Sequence, residues 1–208
     1  MILESIVTTV DGNGRVNIAP MGPTVQGNGP GDLIAEITLR PFGSSTTYAN
    51  LKPGNHQNSG KAVVHVTDDA MLFARGAAGD IAPEQAAKLV TSIDHHGYRR
   101  LIDCHRWFAV EADHFSEDDL RATVICRIID SGVVRPFFGF NRAKHAVIEA
   151  AILATRTHLI AAEKIDQELE RLRPLVDKTC GPQEREAFDF LVRTIEKRCS
   201  RERTSGHG

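Results

Sequence analysis

Alternation of apolar and polar residues with period two keeps returning between Ile6 and Ile129, and beyond Asn141 it stops. A residue every second position reaches one face of a pleated ribbon, so the first two thirds of the chain must be built of strands and the remainder of helices. Ile6, Val7 and Val10 open the first run; the glycines and asparagine between Asp11 and Arg15 break it, and Val16 to Pro20 resume it, which is a hairpin signal. Pro20 and Pro23 limit pairing around Met21, so that segment reads as a strand end or a bent edge. Leu33, Ala35, Ile37 and Leu39 alternate with Ile34, Glu36, Thr38 and Arg40; Ala62, Val64 and Val66 alternate with Val63, His65 and Thr67. Asp103 to Glu111 and Ala122 to Ile129 repeat the pattern, and in this region only Pro83 to Ile93 has helical spacing. About seven β-runs joined by turns favour a closed antiparallel barrel over a parallel α/β sheet.

From Asn141 the period is helical. Asn141 can cap a helix over Arg142 to Arg156 whose Ala143, Ala146, Val147, Ala150, Ile152, Leu153 and Ala154 leave little polar circumference. Such a helix needs more than one neighbour, either a partner subunit or the later helices. One of these carries Ile165, Leu169, Leu172 and Val176, bent or ended near Pro174; the other carries Phe188, Leu191, Val192 and Ile195. The expected division is a barrel domain over 1–139 and a helical extension over 140–208 packed on it.

The stretch Leu39 to Leu51 holds Arg40, a turn at Pro41 and Gly43, four hydroxyls from Ser44 to Thr47 and the amide of Asn50, with no acidic residue. Guanidinium, hydroxyls and turn amides are the groups that bind phosphate, although an ordinary polar loop has the same composition. Thr67-Asp68-Asp69 ends the next strand, either as a plain turn or as a tip that presents side chains to a ligand.

Other chemistries are excluded by spacing. The glycines at 27, 29 and 31 invite a dinucleotide reading, but a strand follows them where a helix N-terminus is required. Nine histidines include His95-His96 on different faces, and His105 and His114 without partners at ligand spacing, so no metal site is expected. Cys104 and His105 are consecutive on a strand and point apart. A net charge of −2 argues against bulk attraction to nucleic acid or to anionic membranes, and Arg193, Lys197, Arg198, Arg201 and Arg203 suit a helix C-terminus and a solvated tail. Four dispersed cysteines and an N-terminus without an apolar leader suggest a reduced cytoplasmic protein, and no apolar stretch is long enough to cross a membrane.

Three blocks in this order, IVTTVDGNGRVNIAPMGP (Ile6 to Pro23), RPFGSSTTYANL (Arg40 to Leu51) and AVVHVTDD (Ala62 to Asp69), resemble the FMN-binding split-barrel superfamily. With GFNRAKHAVIEAAILATR (Gly139 to Arg156) they resemble more closely a split-barrel family of archaea and of bacteria with tetrahydromethanopterin-linked one-carbon pathways. The resemblance implies a mainly β fold with α: a six- to seven-stranded antiparallel Greek-key split barrel followed by a C-terminal helical segment. It implies FMN as cofactor, with the phosphate on Arg40, Ser45, Thr46, Thr47 and Asn50 and the isoalloxazine ring near Met21, Gly22, Thr67 and Asp68. RLRP (Arg171 to Pro174) resembles the substrate motif of pyridoxamine-phosphate oxidases, but it lies within a helix and carries nothing over.

The expected function is a flavin-dependent oxidoreductase or flavin reductase with an unknown small-molecule substrate and NAD(P)H as a candidate donor. The alternative is a non-catalytic flavin-binding or assembly protein in a one-carbon pathway. No residue stands out as acid or base, and His65 and His105 are the available proton carriers. Split-barrel relatives cover the flavin ring with a second subunit, so a homodimer is expected.

Overall fold

A computed structural model describes residues 1–27, 34, 36–93, 96–117 and 120–205, with side chains through Arg201. The glycine loop and the alternating positions Leu33 and Ala35 fall largely outside the described residues, as do His95 and the side chain of Arg203. The chain divides into two compact units, Met1–Thr67 with Ile81–Phe137, and Asp68–Asp80 with Phe138–Gly208.

The first unit is a curled antiparallel half-barrel of seven strands. In chain order they are β1 (Ser5–Val10), β2 (Val16–Met21), β3 (Thr24–Gln26), β4 (Glu36–Leu39), β5 (Lys61–Val66), β8 (Arg106–Glu117) and β9 (Ala122–Val133), and in the sheet they run β2-β1-β5-β8-β9-β4-β3. β6 (Val90–Ser92) and β7 (Arg99–Leu101) form a separate two-stranded ladder. Two short helices complete the unit, α1 (Thr46–Leu51) and α3 (Pro83–Leu89). β1 is buried at every position, and Val7, Ile37, Leu39, Leu51, Val64, Phe108, Val110 and Val124 fill the core on one side of the sheet. On the closing hairpin, Gly132 lies so near the indole of Trp107 that a Cβ there would stand 2.8 Å from the ring.

The second unit is helical, with α2 (Ala70–Ala78), α4 (Arg142–Ala154), α5 (Ala162–Thr179) and α6 (Pro182–Ser205). Ala143, Ala146, Val147 and Ala150 let α2, α5 and α6 approach α4 closely, and Ile165, Leu169, Phe188, Leu191 and Ile195 fill the space between. The apolar circumference of α4 is therefore covered within its own chain. Asn141 caps α4 by accepting from the Lys144 N–H at 3.1 Å, and its amide donates to the Thr179 carbonyl at 2.9 Å. α5 continues through Pro174.

Three segments differ from the sequence expectation. The phosphate-like stretch is a helix from Thr46 onward, because the Ser45 hydroxyl accepts from the Tyr48 N–H at 3.1 Å and nucleates the turn. The tip after β5 is the start of α2: Asp69 accepts from the Leu72 N–H at 3.0 Å, and Gly79 ends the helix in the left-handed region at φ 73°. The helix from Pro83 stops at Leu89, where β-branched Val90 and Thr91 pair with β7. Among the described residues no helix is long and apolar enough to cross a membrane.

Candidate functional site: a polar cavity beside the first hairpin

Asp11 builds the turn between β1 and β2 by accepting from the backbone N–H groups of Asn13 and Arg15, both at 2.8 Å, while Gly14 takes φ 81°. This turn fixes the register that sets Thr9 opposite Asn17. The Asn17 amide donates to the Thr47 hydroxyl at 3.0 Å and approaches the Thr9 hydroxyl at 3.4 Å; the Asn50 amide donates to that same Thr9 oxygen at 2.9 Å. Thr9, Thr47 and Asn50 are buried, so this network locks α1 onto the hairpin.

On the outer side of the network lies a cavity of about 270 Å³, lined by Asp11, Arg15, Asn17, Thr46 and Asn50 and, on its apolar side, by Val16, Ile18, Ile81, Pro83 and Ala86. The Asp11 carboxylate is committed to its own turn. The Arg15 guanidinium and the Thr46 hydroxyl have no partner among the described residues, so the cavity presents one cation and a hydroxyl beside the single carboxylate of Asp11.

Of the residues expected from sequence, Thr46 and Asn50 line this cavity and Thr47 stands one hydrogen bond behind it. The others are dispersed. The Ser45 hydroxyl is used in capping and donates to the Phe42 carbonyl at 2.7 Å. Arg40 is exposed just past β4, where its carbonyl accepts from Arg121, and it is not among the cavity's lining residues. Met21 ends β2 and packs partly into the barrel core. A Cβ on the following Gly22 would stand 2.9 Å from the Ile2 side chain, so close packing already accounts for that glycine. Thr67 is buried after β5. Asp68 belongs to the helical unit, where Lys144 donates to its carboxylate at 2.7 Å and to its carbonyl at 3.0 Å. Arg15 and Asn17, which also line the cavity, were not among the residues expected from sequence, although their hairpin was legible; alternation says which face Asn17 occupies and nothing about the helix that meets it.

The two histidines are structural. His65 is fully buried: its Nδ1–H donates to the Ile6 carbonyl at 2.9 Å, and its Nε2 accepts from the Leu101 N–H at 3.0 Å. Burial, partly opposed by the Ile6 bond, pulls its pKa down to about 4, so the ring is a neutral bridge joining β1, β5 and β7. His105 is buried with Nδ1 donating to the Pro136 carbonyl at 3.0 Å, and the Phe137 ring lies edge-on to it. Burial also pushes the Cys104 thiol up to about 11 and the Cys126 thiol up to about 12, which removes them as nucleophiles near neutral pH.

A seven-stranded half-barrel of this order, with helices after it, defines a split-barrel protein. The chain belongs to the DUF447 family, described as a protein of unknown function: the family's N-terminal domain matches residues 3–135 and its C-terminal domain residues 141–193. Among solved structures, the FMN-bound protein MM1853 of Methanosarcina mazei, from the same family, is similar with a TM-score of 0.75 and 23% identity, over 93% of this chain and 94% of that one. A flavin reductase domain protein from Arthrobacter sp. FB24 shares 13% identity with a TM-score of 0.47, over 64% of this chain and 77% of that one. An FMN-binding protein from Thermus thermophilus with bound 1-cyclohex-2-enone shares 12% identity with a TM-score of 0.49, over 64% and 71%.

Proposed function

We propose that the protein is an FMN-binding flavoprotein that holds the phosphate end of the flavin at the cavity beside Thr46 and Asn50. The observation that carries this reading is that the Arg15 guanidinium and the Thr46 hydroxyl, without partners among the described residues, line one cavity beside a built polar network, where Asp11 Oδ1 accepts from the N–H groups of its own turn. The FMN in the M. mazei protein supports flavin over other phosphate-bearing ligands. A cavity of 270 Å³ falls just below the roughly 300–1,000 Å³ of small-molecule sites, so it accommodates the phosphate and part of the ribityl tail. The ring would then lie over a wider surface toward Met21, Gly22 and Thr67, and a second copy of the chain covering it makes the working unit a homodimer.

Bound FMN supplies two-electron oxidation and reduction, and the chain's own part is to bind and orient it. A flavin-dependent oxidoreductase using NAD(P)H is the reading we favour. His65, buried with both ring nitrogens hydrogen-bonded to backbone, favours the second reading, a flavin-binding protein without acid–base chemistry of its own. A role in tetrahydromethanopterin-linked one-carbon metabolism rests on the resemblance of the sequence blocks. A cytoplasmic setting agrees with four free cysteines, of which Cys104, Cys126 and Cys199 are buried.

Absorbance in the flavin bands and titration of FMN into apo protein test binding; colourless protein with no FMN affinity would overturn it. Anaerobic bleaching by NADH, NADPH or a reduced tetrahydromethanopterin tests catalysis. Bleaching by none of them, with FMN fully bound, selects the binding reading.

A further inference from the structure

Strand register brings four residues into one row at the end of the half-barrel away from the Asp11 turn. Ser5 stands opposite Met21, Ile6 opposite His65 and Val66 opposite Arg106, so Met21, Ser5, Val66 and Arg106 run side by side across β2, β1, β5 and β8. Ser5, Val66 and Arg106 lie two positions from Val7, Val64 and Phe108, so the row continues the core face of the sheet. Met21 and Val66 pack partly against that core, and the Ser5 hydroxyl is engaged, donating to the Met21 carbonyl at 2.8 Å.

Arg106 is half-buried, and its guanidinium carbon lies 4.8 Å from the centroid of the Phe108 ring. An arginine that only covered Phe108 with its stem would keep its polar head in water. Here Nε is out of solvent without an acceptor, and the side chain makes no hydrogen bond or ion pair among the described residues. It is the one such buried atom, among those residues, on a permanently charged group. A buried N–H on a cation is costly to leave unmade, so this position is shaped for an acceptor that the chain does not supply.

We infer that Arg106 holds the electron-rich edge of the flavin ring, N1 and the C2 carbonyl, and stabilises the negative charge that the ring gains on reduction. This rests on the flavin reading, which lays the ring toward Met21, Gly22 and Thr67. Thr67 directly follows Val66, the residue paired with Arg106. Met21 and Arg106 are three strand spacings apart, about 14 Å along the sheet, which a tricyclic ring and an arginine side chain together span. A hydride from NAD(P)H brings two electrons and one proton, the nicotinamide leaves oxidised, and the ring, neutral before, then carries one negative charge spread over N1 and the C2 carbonyl. A guanidinium at that edge acts on the reduced ring far more than on the oxidised one.

The test is the midpoint potential of bound FMN, measured against a redox dye, with the affinity for oxidised FMN alongside. Arg106→Met keeps an apolar stem on Phe108 and removes the N–H groups. Oxidised FMN is expected to bind within about threefold of the parent, and reduced FMN to lose a further factor of about ten. That lowers the two-electron potential by about 30 mV. Arg106→Lys recovers part of the shift, because it keeps the charge and loses the fork. Arg15→Ala acts on the phosphate, weakens both redox forms alike and leaves the potential unchanged. Since methionine removes a buried N–H that has no acceptor, apo Arg106→Met should unfold at the parent's temperature or above it, whereas a purely structural stack on Phe108 would lower it. A parent protein that binds no FMN would overturn the flavin reading and this inference together. With FMN bound, an unchanged potential in Arg106→Met, whatever its stability, overturns this inference alone.

Discussion

Replacing Arg15 by Ala removes an exposed guanidinium that makes no hydrogen bond or ion pair among the described residues, so the fold should lose little, within about 0.5 kcal/mol. Flavin binding should lose much more. A charge-assisted hydrogen bond contributes about 1.5–3 kcal/mol, and because Arg15 is exposed and screened the lower end applies. That corresponds to about a tenfold rise in the Kd for FMN. Arg15→Lys should recover part of it, since an ammonium keeps the charge and loses the planar fork. The comparison that gives the experiment its force is Arg40→Ala, the substitution favoured by the sequence pattern alone. Arg40 is exposed and not among the residues lining the cavity, so its removal should change FMN affinity by less than a factor of about two. Fluorescence titration of FMN into the apo variants, with urea unfolding as control, measures both. If Arg40→Ala weakens FMN and Arg15→Ala does not, the phosphate lies on the loop after β4, and assignment to the cavity is refuted.

Acid should destabilise the barrel through His65. Its folded pKa near 4 lies below the ordinary 6.5, so the bridge contributes fully above pH 6.5 and its contribution falls as pH drops from 6.5 toward 4, by on the order of 3 kcal/mol. Urea midpoints measured across that interval should show the slope, and His65→Gln should flatten it; an unchanged slope would remove His65 as its source. Gly132→Ala should cost about 1–3 kcal/mol by driving a methyl into Trp107, and the fluorescence of this single tryptophan should shift; a variant as stable as the parent would show that the indole moves aside. Asp69→Ala should cost about 1 kcal/mol by uncapping α2 and breaking the bond from Gln183, read by thermal unfolding, and no change would mean that solvent caps the helix equally well.

Period-two alternation was enough to place β1, β2, β5 and β9, and the switch at Asn141 was enough to place α4 and the helices after it, because burying one face of a ribbon or one stripe of a helix leaves a mark in the residues themselves. The start of α2 was equally marked, by Asp69 and Gly79, but a polar tip and a helix cap use the same residue types, and only the Leu72 N–H at Asp69 separates them. Ser45 shows the same ambiguity, its hydroxyl answering to the backbone of α1. The cavity was beyond local pattern altogether. Thr46 and Asn50 meet Arg15 and Asn17 only because strand register sets Asn17 opposite Thr9 and buried amides then tie α1 to that hairpin, and contacts across about thirty residues are decided by packing. Within the helical unit α4 found its cover in α2, α5 and α6, since small alanine side chains let three neighbours approach at once, a matter of shape that hydrophobicity alone does not encode.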